Sequence, residues 1–192
     1  MTLAIVYTRA SIGLEAPLVT VEAHISNGLP GLTLVGLPET AVKEARDRVR
    51  SALLNSGFEY PAKKMTVNLA PADLPKESGR YDLAIAIAIL ASSGQIPHDA
   101  LKKHEFLGEL ALSGEIRYVN SAIPAAQAAL KQQRSLILST ENQYQLGLLP
   151  DNSVYFTTSL LELCHFLHNK HTLVCNQQVH QASIPSQRKK VI

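Results

Sequence analysis

The densest run of chemically capable side chains lies between residues 68 and 83, where Asp73, Lys76, Glu77, Ser78, Arg80 and Asp82 crowd a polar loop with two prolines. A lysine beside a serine can act as its base once the amine pKa is lowered. Ser78 stands two residues from Lys76, and Ser113 is a second serine that Lys76 could serve. Without that chemistry, Asp73, Lys76, Arg80 and Asp82 have two readings. They are an interaction surface for DNA or a neighbouring subunit, or a salt-bridged loop that holds the next helix in place.

Two other groups carry possible chemistry. Lys43, Arg46, Arg48 and Arg50 alternate with Glu44 and Asp47 along one helix-like segment. Guanidinium groups bind phosphate well, so Arg46 and Arg50 are candidate DNA contacts, set against a solvated face with internal ion pairs. The stretch Cys164 to Cys175 holds two cysteines and His165, His168 and His171. On a helix Cys164 shares a face with Leu160, Leu161 and Leu167 while His165 and His168 point elsewhere. Zinc is therefore not expected, and two buried thiols with surface histidines are. The glycine-rich phosphate loops, the G-x-S-x-G elbow and the H-E-x-x-H helix are missing, so no cofactor is expected in this chain.

These residues need a scaffold. Alternation over Leu3 to Tyr7 and Leu18 to Ile25 predicts strands, and Leu32 to Val35 follows Asn27-Gly28 and Pro30-Gly31, which together predict a β-meander. Val42, Ala45, Val49, Ala52 and Leu53 recur at helical spacing, predicting a helix over Glu39 to Ser56 closed by Gly57. Met65 to Leu69 alternates as a strand. The nine apolar residues Leu83 to Ala91 predict a buried helix with Asp82 in its first turn, about half the length a membrane span needs. Phe106 to Leu112 and Glu115 to Val119 flank Ser113-Gly114 as a hairpin. Pro124 to Gln133 is predicted helical, Leu136 to Leu138 a strand, Ser159 to His168 a helix and Thr172 to Cys175 a final strand.

The 192 residues are 46% apolar and carry 18 Lys and Arg against 16 Asp and Glu, so bulk charge imposes no polyanionic partner. No membrane partner or signal sequence is expected, and the location expected is the cytoplasm. The domain reading is one α+β domain over residues 1–175, with 176–192, rich in Gln, His, Ser and Arg or Lys, as a tail or interdomain linker.

Several segments carry a resemblance. They are Leu3-Ala4-Ile5-Val6-Tyr7, Glu15-Ala16-Pro17-Leu18-Val19-Thr20-Val21-Glu22, Ser26-Asn27-Gly28-Leu29-Pro30-Gly31, residues 35–44, Arg46-Asp47-Arg48-Val49-Arg50-Ser51-Ala52, Pro75-Lys76-Glu77 and Phe106-Leu107-Gly108-Glu109-Leu110. Together they resemble the N-terminal domain of the ComM/YifB family of Mg-chelatase-like AAA+ ATPases. The resemblance implies a Lon-protease-like domain with the ribosomal protein S5 domain 2-like fold, followed in the parent protein by an AAA+ module that binds ATP and magnesium. It further implies a hexamer and the DNA branch migration of natural transformation. Lon proteases use a serine and a lysine, and their places fall at Arg80 and Ile123 here. Neither side chain can replace the pair, so the resemblance implies a catalytically silent module contacting its AAA+ partner or single-stranded or branched DNA, with a Ser/Lys peptidase or a free-standing adaptor as the alternatives.

Overall fold

A computed structural model describes residues 3–74, 79–146, 149 and 153–176. Ten strands and five helices are described: β1 Leu3–Arg9, β2 Leu18–Ser26, β3 Gly31–Val35, α1 Glu39–Asn55, β4 Lys64–Ala70, α2 Asp82–Ser92, β5 His104–Phe106, β6 Glu109–Leu110, β7 Ile116–Arg117, α3 Ala122–Lys131, β8 Ser135–Ser139, α4 Gln143–Leu146, β9 Val154–Thr157, α5 Leu160–Leu167 and β10 Val174–Cys175. Eight strands form one sheet in the order β10-β9-β8-β5-β1-β2-β4-β3, and β6 and β7 pair by themselves. The large sheet is mixed and mostly parallel, with β3–β4, β1–β5, β5–β8 and β8–β9 parallel.

The alternation in the sequence sets the inner face of the N-terminal half. Val19, Val21, Ala23 and Ile25 of β2 are buried, as are Ala4 and Val6 of β1 and Met65, Val67 and Leu69 of β4. The predicted meander is corrected. β3 does not lie beside β2, because β4 runs between them, antiparallel to β2 and parallel to β3. The cause is α1: its stripe Ala41, Ala45, Val49, Ala52 and Leu53 needs a sheet face, which a β3–α1–β4 crossover supplies and a meander does not. Residues 27–30 then bridge two strand spacings, about 10 Å.

α1 ends as its sequence predicts. Gly57 takes φ +82, its N–H donates to the Leu54 carbonyl, and the Phe58 N–H donates to the Leu53 carbonyl, each at 3.0 Å. Those paired bonds close the last turn, and Phe58 packs onto the core. Gly36, between β3 and α1, has φ +88, and a Cβ there would collide with the carbonyl oxygen of Leu69. Gly36→Ala is therefore expected to cost about 1–3 kcal/mol from the backbone dihedral alone, before the collision. A urea midpoint indistinguishable from that of the unsubstituted protein would refute this.

Every residue of α2 is buried. It lies against β1 and β2 with α1 beside it, so an apolar helix without a polar face is what the position requires. Its entry is tied by two backbone bonds to Gly108: the Gly108 N–H donates to the Arg80 carbonyl at 3.1 Å, and the Leu83 N–H to the Gly108 carbonyl at 3.0 Å. That tie breaks the predicted strand Phe106 to Leu112. Phe106 belongs to β5 in the main sheet, while Glu109 and Leu110 form the hairpin with Ile116 and Arg117.

On the opposite face α3 covers β8, where Ala122, Ala125, Ala126 and Ala129 meet Leu136, Leu138 and Phe156 in a second core. α5 joins the first core through Leu160, Leu163, Cys164 and Leu167. Asn176 is buried, donating to the Leu149 carbonyl at 3.0 Å and accepting the Val154 N–H at 3.4 Å, so the folded part takes in the first residue assigned to the tail. The rest of the tail, 177–192, lies outside the described residues. Among the described residues no helix is long and apolar enough to cross a membrane.

Candidate functional site

The short 3-10 turn Gly79–Tyr81 delivers Arg80 and Asp82 to the start of α2. Asp82 has no exposed surface. Its carboxylate accepts Arg48 Nε at 2.6 Å and Arg48 Nη2 at 3.2 Å, and the Leu110 N–H at 3.3 Å. Burial pushes the Asp82 carboxyl up to about 7, against the lowering pull of the Arg48 hydrogen bond and charge. Arg48 is in turn held more firmly protonated by Asp82 and reaches Glu44 at 3.5 Å. This fork clamps α1 to α2.

Arg80 is also interior, 6% exposed. Its Nε donates to the Arg9 carbonyl at 3.1 Å and its Nη1 to the Asn120 carbonyl at 3.4 Å, pinning the end of β1 to the turn before α3. Asn120 precedes Ile123 by three residues, so the two positions compared with a serine–lysine dyad sit at the same end of the fold. Ile123 is 42% exposed on the first turn of α3. For Arg80 and Asp82 the surface reading is corrected in favour of the other one the sequence offered: both are interior, Asp82 is paired with Arg48, Arg80 is bonded to two backbone carbonyls, and together they hold the start of α2.

Asp73 is exposed, three residues after the cis Ala70–Pro71 peptide, and makes no ion pair among the described residues. Lys76 and Ser78 lie outside the described residues. Ser113 sits in the exposed hairpin turn, where its hydroxyl donates to Glu115 at 3.3 Å.

Arg46 and Arg50 occupy a different place. Both are exposed on α1, one turn apart, above a groove of about 400 Å³ bounded by Pro30, Gly31, Leu32, Asp47, Leu54 and Tyr60. The Arg50 guanidinium lies 5.3 Å from the centre of the Tyr60 ring. The predicted set thus divides between an interior anchor and an open groove.

Sequence reasoning missed two arginines. Arg48 was grouped with the solvated basic residues, yet it follows Ala45 by three and precedes Ala52 by four, which places it beside the buried stripe. Arg9 is the other. Its Nε and Nη2 grip Glu105 at 2.6 and 2.7 Å, and Arg134 adds a contact to Glu105 at 3.1 Å while stacking 3.9 Å from the Tyr7 ring centre. Further bonds run from Arg9 to the carbonyls of Ala16 at 3.1 Å and Ala128 at 3.3 Å. At the C-terminal end Cys164 and Cys175 are buried thiols, with the Cys164 thiol pushed up to about 12 by burial. His165 and His168 are exposed, as their helical spacing predicts, and His171, past the end of α5, is exposed as well.

Residues 21–142 match the family described as subunit ChlI of Mg-chelatase, which sets the class of the protein. The chain is 57% identical over 173 residues to the protein YifB of Salmonella typhimurium and 58% identical over 173 residues to the competence protein ComM of Haemophilus influenzae. Each alignment covers 90% of this chain and 34% of the relative. A protein of Mycobacterium tuberculosis is 43% identical over 129 residues, covering 67% of this chain and 26% of its own. The chain belongs to the ComM/YifB family of Mg-chelatase-like proteins, and it spans about a third of the length of the YifB and ComM relatives.

Proposed function

We propose that the chain is a non-catalytic Lon-like module, with the ribosomal protein S5 domain 2-like fold, of a Mg-chelatase-like AAA+ ATPase resembling the ComM DNA branch-migration helicase of natural transformation. Its work is contact: assembly and regulation with the AAA+ module of the same protein in a homo-hexamer. The observation that carries this reading is Arg80. At the place compared with a nucleophilic serine stands a buried guanidinium already bonded to two backbone carbonyls, which supplies neither a nucleophile nor a base.

ATP and magnesium do not fit the residues here. In the first turn of α2, where a phosphate would be drawn to the helix dipole, the buried acid Asp82 stands and would repel it. In this proposal both belong to the AAA+ module. The location proposed is the cytoplasm.

A fluorophosphonate probe tests the silence of the site: the folded protein is expected to show no labelled serine, and phosphonylation of Ser78 or Ser113, with loss of fluoride, overturns the reading. DNA contact is a second reading, favoured by the exposure of Arg46 and Arg50. It requires salt-sensitive binding to single-stranded or forked DNA that weakens on Arg46→Ala. No affinity at low salt assigns the module to scaffolding. Arg80→Ala is unsuitable for this assay, since it removes an interior anchor.

A further inference from the structure

β3 forms one edge of the eight-stranded sheet. The Gly31 N–H donates to the Lys63 carbonyl at 3.2 Å, so Gly31, Thr33 and Val35 direct their backbone groups toward β4, and Leu32 and Leu34 direct theirs toward the open edge. Edge strands are ordinarily blunted by a charge, a proline or a bulge. Gly31-Leu32-Thr33-Leu34-Val35 contains neither charge nor proline, and its register with β4 is unbroken over all five residues.

The surroundings of this edge are apolar and basic together. Leu29, at the tip of the preceding loop, is 89% exposed, and Val35 and Leu54 are about half exposed. Arg46 and Arg50 overhang the groove that begins at Gly31, with Lys64 exposed opposite Gly31 and Asp47 the one acid on the groove wall among the described residues. The charge complement of such a rim is a carboxylate-bearing strand.

We infer that the free edge of β3 receives an extended acidic segment of a separate polypeptide as an added strand, its carboxylates meeting Arg46 and Arg50. A second copy pairing edge to edge would bring the two sets of arginines together, which opposes that occupant. The inference goes beyond the silent-module reading and does not depend on it.

The probe is a fluorescein-labelled octapeptide of alternating glutamate and valine, followed by fluorescence anisotropy with this chain. Saturable binding is expected, at least tenfold weaker for the double variant Arg46→Glu, Arg50→Glu, and at least tenfold weaker for the same peptide methylated on alternate backbone nitrogens. Both arginines are exposed, and an unchanged urea midpoint shows that the variant is folded. Absence of binding overturns the inference. So does equal binding of the methylated peptide, which would make the contact charge without strand pairing. Tighter, arginine-dependent binding of a single-stranded oligonucleotide that displaces the peptide overturns it in favour of nucleic acid. A concentration-dependent dimer that the peptide dissolves overturns it in favour of a second copy.

Discussion

Replacing Glu105 by alanine lowers the unfolding free energy by about 3–5 kcal/mol, the range for removing one partner of a buried ion pair. The side chain of Glu105 has no exposure and that of Arg9 only 4%, so Arg9 cannot recover its hydration once the carboxylate is gone. Arg134, 19% exposed and stacked on Tyr7, can turn to solvent and contributes less. The loss belongs to the stranded charge rather than to the strength of the attraction. A triple variant, Arg9→Met with Glu105→Leu and Arg134→Met, is therefore expected to recover most of the stability. Urea denaturation of both variants checks the pair of expectations, and a single-variant loss below about 1 kcal/mol would sink the first.

Arg48→Ala costs about 3 kcal/mol at pH 8, the low end of the same range because the Arg48 side chain is itself a fifth exposed. It leaves Asp82 with the Leu110 N–H alone among the partners described above. This cost depends on pH with a definite sign. The folded Asp82 carboxyl sits at about 7 and an unfolded aspartate near 4. Between those values the folded state holds a proton that the unfolded state has released, so the contribution is fully present below about pH 4 and is lost as pH rises to about 7. Without Arg48 the carboxyl is raised further. The deficit of the variant is therefore largest above pH 7 and shrinks by pH 5. His104 works in the opposite direction. Burial beside Phe106, Tyr155 and Phe166 lowers it to about 4, so its contribution is present above about 6.5 and is lost as pH falls through 4. The two slopes oppose each other in the unsubstituted protein, and Asp82→Asn exposes the rise from His104. Urea midpoints at pH 5 and pH 8 read both effects, and an Arg48→Ala deficit equal at the two pH values would count against the first.

The periods of two and 3.6 residues were legible wherever one face is buried, in β2, β4 and α1. α2 was legible from composition, because an apolar run ended by Gly94 and begun by Asp82 suits a wholly enclosed helix. The order of strands was not, since nothing local to β3 says that β4 will arrive after a 17-residue helix and lie between β3 and β2. β9, with four residues, has too short a pattern to stand out beside Pro150, Asp151 and Asn152. At the site, helical spacing correctly left Arg46 and Arg50 exposed. For Arg80 and Asp82 the sequence left a surface and a salt-bridged anchor both open, because a charge cannot be placed until its partner is known. Asp82 finds its partner 34 residues away and Arg9 finds Glu105 96 residues away. Family resemblance was legible in the fixed spacings of the glycines and prolines around β3 and α1, where Gly36 allows the chain to pass the Leu69 carbonyl.

Arg9 and Glu105 lie where β1 meets β5, and that contact divides the large sheet into residues 3–70 and 104–175. A single bridge, Tyr7 to Glu105, records the pairing among the described residues, whereas β1–β2 and β2–β4 each run for seven. Each half is assembled from strands near one another in the chain, but this juncture closes a loop of almost a hundred residues and is bought late in folding. Substitutions at this juncture are therefore expected to slow refolding, while the core shared by both halves, from Ala4 and Val6 to Ile137 and Leu163, keeps unfolding one cooperative event.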